Sequence, residues 1–393
     1  MRPAWRIRTS APKEGAVPLI PQQCKIEQFF GQWEVRVEHI ACASDVDGYS
    51  MRELLELADT ETLRLWDGLE LGYTEPTGHP LLREAISDQY TKTGASDVTV
   101  CGGGAAEALF LVTNALLGPS DHAVVVWPAF ESLHRIAPAL GATITPIALD
   151  PDHGWRLDLD AVRQAIRPTT RALFVNFPHN PTGALPSRVE FEALLTLAGD
   201  MGVTVVSDEV YRYLEYDDDA TLPAACDLDE RAISVGVMSK TYALAGLRVG
   251  WMATRNRAVT SAARTLKDYT SVCASAPAEI LSLIALRARD QLVARSRRII
   301  LNNLAHAESF FGQHPDVFAW ASPDAGLVAF PRLLLPTSVD AFVSDLAHEK
   351  SVLLLPGSVF DMDDSRFRLG LGRTSLPVAL DLLGDFVVSL GTS

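Results

Sequence analysis

In VMSKTYALAGLRVGW (237–251), Lys240 follows the β-branched run AISVGVMS, and Arg248 stands eight residues further on. Enclosure among apolar neighbours destabilises an ammonium relative to the amine, so a lysine held there can attack a carbonyl carbon. A lone lysine more often snorkels to the surface. Its companions decide between the two.

Several polar or aromatic residues fall where short apolar runs end, and in an open α/β sheet ligands gather at the carboxyl ends of strands. VTVCGGGAAEALF passes through Gly102, Gly103 and Gly104 into a helix opening near Ala105 and Ala106. Free amides at a helix N-terminus favour an anion, phosphate foremost; a simple tight turn is the alternative. The lysine and Ser/Thr of a nucleotide P-loop and the dinucleotide spacing are both absent. Phe130, beyond VVVWP, offers an aromatic face to a planar ring or plugs a core. FVNFPHNPTGA puts Asn176 at a strand end and Asn180 in an Asn-Pro turn. That turn is structural by default, yet its amide can also donate to a phenolate or carboxylate. Asp208 closes the apolar run VTVVSD with Tyr211 three residues on. A desolvated carboxylate needs a partner: a salt bridge, a helix N-terminus or a protonated ring nitrogen.

The elements that must position these residues are legible as alternation. DVTVCGG, HAVVVWP, ATITPIAL, RALFVNFP, VTVVSDE, AISVGVMS and RVGWMAT are β-branched runs, most of them separated by helical segments such as RVEFEALLTLAGDMG. Such alternation predicts a mainly parallel sheet covered by helices on both faces. Upstream, 50–66 and 79–94 each carry helical periodicity. From about residue 278 the texture is helical, then short strands and a closing helix predict a smaller α+β domain.

The chain has 393 residues, a formal net charge of −15 and five cysteines at irregular spacings. That acidity opposes nonspecific nucleic-acid binding. The cysteines suggest neither a disulfide framework nor a zinc site, and no metal site is predicted. No apolar stretch is long enough to span a membrane, and no signal-peptide segment follows the basic N-terminus; a cytoplasmic location is expected.

The ordered set of glycine loop, aromatic, asparagine, aspartate with tyrosine, lysine and arginine resembles the class I/II aminotransferase family of pyridoxal 5′-phosphate enzymes. NPTG and SKTYALAGLRVG are its most specific parts. The resemblance implies the α/β fold of fold-type I transferases: a mainly parallel seven-stranded sheet with helices on both faces plus a smaller α+β domain. The domain reading is 1–48 as N-terminal arm and part of the small domain, 49–285 as the large cofactor-binding domain, and 286–393 as the small domain. By resemblance, Lys240 forms a Schiff base with pyridoxal 5′-phosphate and then carries protons. Asp208 pairs with the ring nitrogen, Tyr211 and Asn180 with the phenolic oxygen, and Phe130 stacks on the ring. Gly104, Ala105, Ala106 and Arg248 hold the phosphate. Tyr73 matches a tyrosine that reaches the neighbouring subunit's phosphate, which implies a homodimer with shared sites. In SRFRLGLGR, Arg368 falls on the arginine that clamps the substrate carboxylate, and Asn180 joins it. Arg366 and Arg373 are rivals, and strand alternation does not separate Arg366 from Arg368. Two positions depart from the family: Val237 stands where a phosphate-binding serine is usual, and CASDVDGYS replaces a glycine-bearing substrate loop.

An amino acid and a 2-oxo acid are the implied substrates of a transamination. VNFPHNPTGA, LKDYTSVCASAPAEIL and WASPDAGLVAFPRL resemble the branch that includes capreomycidine synthase, in which a hydroxylated arginine undergoes elimination and ring closure. GQWEVRVEHIACASD is similar to arginine oxidases of this cofactor whose N-terminal arm covers the site. On that reading Glu34 or Asp45 meets a guanidinium; ordinary surface carboxylates are the alternative. A third reading is a non-catalytic regulator on the same fold.

Overall fold

The computed structural model describes residues 21–362 and 365–390, so the first 20 residues of the expected arm lie outside the described residues. A seven-stranded sheet forms the centre. Its order is Val98–Cys101, Gly250–Ala253, Ile233–Val237, Thr204–Asp208, Thr170–Asn176, His122–Trp127 and Thr143–Ala148. Gly250–Ala253 runs antiparallel to both neighbours, while the five strands from Ile233–Val237 to Thr143–Ala148 are parallel. The reversal has a local cause. Parallel neighbours need a crossover, usually helical, and 238–249 contains only the short 3₁₀ turn Ala245–Leu247.

The expectation of two covered faces is met residue by residue. Val124, Leu173, Val175 and Val205 pack on one side with Phe191, Leu194 and Leu197 of the helix Arg188–Asp200. Their strand neighbours Val125, Phe174 and Val206 pack on the other with Leu109, Val112, Val259 and Ala263. Alternate residues of a strand point to opposite faces, so runs apolar at every position must be buried on both.

Two helical stretches divide. The segment 50–66 forms Met51–Leu55 and Thr60–Asp67, because Asp59 caps the second helix by accepting the Thr62 amide at 2.8 Å. The long run from 278 belongs to two helices, Ala276–Arg287 and Arg289–Gln313, meeting at Ala288.

A second core unites Ile300, Phe311, Phe342, Leu369 and Phe386 with Ala41 and Val46 from near the N-terminus. His39–Ile40 pairs in parallel with Val352–Leu353. Ahead of it, the arm helix Lys25–Trp33 is anchored at Glu131, which accepts from Cys24 Sγ at 2.8 Å and the Ile26 amide at 3.1 Å. No helix among the described residues is long and apolar enough to cross a membrane.

Candidate active site

Three parallel strands end side by side with Asn176 opposite Asp208 and Asp208 opposite Val235. Their carboxyl ends open into a cavity of about 260 Å³ whose lining includes Lys240, Asp208, Tyr211, Asn180, Phe130 and Arg248. A larger cavity of about 620 Å³ around Trp155 and Phe177 has no lysine in its lining. Chemistry, not volume, selects the smaller one.

An anion cradle forms one end. The helix Gly104–Leu116 begins with Gly104 at φ +75°, and its first amides, including those of Ala105 and Ala106, have no intrahelical acceptor. Arg248 closes over them, its guanidinium 3.2 Å from where a Gly104 Cβ would stand, and it donates to Ala245 O at 3.0 Å. Gly250 is required here because a Cβ would lie 2.6 Å from the Ala105 nitrogen. Ser239, unassigned from sequence, accepts weakly from Arg248 at 3.4 Å. Val237 lines the cradle and offers no hydroxyl.

Asp208 is buried in the cavity wall, and Lys240 is partly buried beside it. Desolvation lowers the lysine's pKa to about 8, moderated by attraction to Asp45 and Asp208 and reinforced by Arg368 and Arg248. The amine is therefore available near neutral pH. Desolvation pushes Asp208 up to about 7, and among the described residues it forms no ion pair; the Val210 amide donates to it at 3.3 Å. A buried carboxylate so placed invites a cation.

Asn176 ties two features together, donating through Nδ2 to Asp208 O at 2.8 Å and accepting the Asn180 amide at 2.9 Å. His179, driven down to about 3 by burial and hence neutral, bonds Thr182 at 2.8 Å and stiffens the Asn180 turn. Arg368 donates to Asn180 Oδ1 at 3.1 Å. Since a guanidinium only donates, Asn180 Nδ2 is left to donate into the cavity. Tyr211 donates to Ser44 O at 3.4 Å.

The structure separates the three arginines. Arg368 is 1% exposed, donates to Cys42 O at 3.1 Å, and forms no ion pair among the described residues. Arg366 stands just before the strand Phe367–Gly370, in a single antiparallel bridge with Arg332, so it is the surroundings of the two side chains that tell them apart. Arg366 lies over the Trp155 ring at 4.8 Å, and Arg373 grips Asp45 at 2.8 and 3.0 Å. A buried guanidinium without a carboxylate partner has the chemistry to receive a carboxylate.

Asp45 lines the cavity as read from the sequence, but Glu34 does not. Glu34 is exposed at the far end of the arm helix, and Glu27, two turns earlier on the same face, lines the cavity in its place. Helical spacing from Glu34 points to Glu27; the anchor at Glu131 decides which end reaches inward. Ser44, whose Oγ accepts from Lys240 Nζ at 3.1 Å, was also missed. Tyr73 lies outside this chain's cavity and is 93% exposed.

The model of the family described as aminotransferase class I and II matches residues 50–377. Capreomycidine synthase of Streptomyces vinaceus is 30% identical over 363 residues, covering 91% of each chain. Among solved structures, a PLP-dependent aminotransferase from Streptococcus suis superposes with TM-score 0.88 at 28% identity, covering 94% of this chain and 98% of that one. The PLP-dependent cyclase OrfR gives TM-score 0.85 at 26% identity, covering 98% and 100%.

Proposed function

The chain belongs to the aminotransferase class I and II family, and from that premise we propose that it moves the α-amino group of an L-amino acid to a 2-oxo acid, with Lys240 as the Schiff-base residue. Pyridoxal 5′-phosphate is the family's cofactor, and the cavity fits it. The phosphate has a cradle in the Gly104–Ala106 amides and Arg248, and the unpaired Asp208 suits a protonated ring nitrogen. Asn180 Nδ2 and Tyr211 suit the phenolic oxygen, and Phe130, which lines the cavity, would stack on the ring. When bound, the cofactor supplies an aldehyde for amines and a sink for the electrons of the substrate's α-carbon.

The protein's own part follows from placement. Arg368 fixes the substrate carboxylate, which orients the α-hydrogen toward the amine of Lys240. Lys240, with its pKa near 8, takes that proton and returns it. Asp208 is held by the Asn176 contact to its backbone, which would keep its carboxyl turned to a protonated ring nitrogen. The observation that carries this reading is the convergence of Lys240, Asp208 and Arg248 on one cavity with the unpaired Arg368 behind Asn180.

A second reading, elimination with ring closure or oxidation acting on arginine or a hydroxyarginine, is favoured by one observation. Glu27 brings a carboxylate to the cavity, where a guanidinium can meet it, beside Asp45, whose oxygens Arg373 already holds. The similarity to a capreomycidine synthase and a cyclase is consistent with it. The non-catalytic reading is disfavoured by the complete lysine, aspartate and arginine set. We further propose a cytoplasmic homodimer in which the exposed Tyr73 reaches the partner's cradle; the five free cysteines accord with a reducing compartment.

Incubating holoenzyme with an amino acid panel that includes arginine and its hydroxylated forms, with and without 2-oxoglutarate, separates these readings. Keto acid plus glutamate is the expected result. Turnover that ignores the acceptor, or that consumes oxygen, overturns transamination in favour of the second reading.

A further inference from the structure

Ser44 lies in CASDVDG, 196 positions before Lys240, and its Oγ accepts from Lys240 Nζ at 3.1 Å. Its carbonyl receives the Tyr211 hydroxyl at 3.4 Å. This placement is built on both sides. Gly370 donates to Ala41 O at 2.8 Å, Arg368 to Cys42 O at 3.1 Å, and Asp47 to Gly372 O at 3.0 Å. A Cβ on Gly370 would stand 2.0 Å from Ala43 O, and one on Gly372 2.1 Å from Asp45 O. Two glycines thus let the arm lie flat against the strand, and Arg373 clamps the next residue, Asp45, through both oxygens.

We propose that Ser44 is a further catalytic residue, whose hydroxyl holds the freed amine of Lys240 where it takes the substrate's α-proton and stabilises the ammonium that results. The inference rests on the cofactor reading above. In the step, the Cα–H bond breaks, its proton forms a new N–H bond on the Lys240 amine, and the electron pair left at the α-carbon is taken up by the cofactor ring. One N–H of the ammonium then donates to Ser44 Oγ. A hydroxyl accepts from the charged form more strongly than from the neutral one, so it favours proton capture. The other groups facing the amine are the carboxylates Asp45, Asp208 and Glu27, the guanidiniums Arg248 and Arg368, and the Tyr211 phenol. None of these touches Nζ from the arm side as Ser44 does.

The test has two arms. In the apoprotein, the pH dependence of Lys240 modification by an amine reagent, read by peptide mapping, should show a lower midpoint for Ser44→Ala than for the native chain or Ser44→Thr. In the holoenzyme, loss of α-deuterium from labelled alanine, aspartate and arginine should slow by about tenfold or more in Ser44→Ala. KM should change little, and Ser44→Thr should restore most of the rate. Ser44→Cys keeps the size with a weak acceptor and carries the test should the alanine variant not fold. An unchanged midpoint and exchange rate in Ser44→Ala, or a threonine variant as slow as the alanine one, overturns the proposal. A native protein that holds no cofactor on Lys240 contradicts the cofactor reading instead, and the apoprotein titration still decides the contact.

Discussion

The wall of the cavity that faces the sheet is made by residues ending neighbouring parallel strands, whereas the opposite wall is an arm segment laid on a strand 326 residues away in sequence. Asn176, Asp208 and the cradle at Gly104 get their positions from local strand and helix ends. Ser44, Asp45 and Arg368 get theirs from long-range contacts, closed by two glycines and one ion-pair grip. The first wall suits a fixed cofactor. On the proposed reading the second sorts the substrate, and the two walls meet where Lys240 bonds Ser44 and Arg368 bonds Asn180.

The largest effect expected falls on the first wall. Lys240→Ala should lower steady turnover by about 10⁴-fold or more, since the proposal makes one group both nucleophile and proton carrier. Retention of turnover within a factor of ten would break the comparison. On the second wall, Arg368→Lys keeps the charge but loses the fork that reaches both Asn180 and Cys42. Its kcat/KM should fall by roughly 10²-fold, mostly through KM, with a much smaller loss of cofactor affinity.

Gly370→Ala sharpens the contrast through stability. A Cβ 2.0 Å from Ala43 O forces the arm off the strand, so a loss of about 2 kcal/mol or more is expected, read as a lower Tm with cofactor affinity largely kept.

A pH test follows from Asp208. Its pKa in the folded apoprotein is raised to about 7, so the folded state binds that proton more tightly than the unfolded one. Its contribution to stability is therefore full at acid pH and lost as pH rises through about 7. Asp208→Asn should raise the apoprotein's Tm relative to native at pH 8 and leave the two close at pH 4. The smallest effect concerns the cradle: Val237→Ser adds a donor and should tighten cofactor binding by about fivefold.

The first wall was readable because its chemistry is written in short, contiguous runs. Asp208 ends an apolar strand, Asn180 sits in its turn, and Lys240 follows a strand that is buried throughout. The second wall was readable only in part. Arg366 and Arg368 looked equivalent until their contacts parted them, one lying over Trp155 and the other buried against Asn180. Of the two acids read from the arm, Asp45 lines the cavity and Glu34 does not; Glu27 does, since the Glu131 anchor turns the near end of the arm helix inward. Ser44 carried no local signal at all; its position arises from glycines hundreds of residues away. The division of 50–66 was missed because apolar periodicity ran on across a break that Asp59 makes by capping.

Borohydride reduction of the protein loaded with pyridoxal 5′-phosphate, followed by peptide mapping, tests the central claim most directly. The cofactor should be fixed on the peptide containing Lys240 and nowhere else. Label on another lysine, or a protein that takes up no cofactor, would contradict the account.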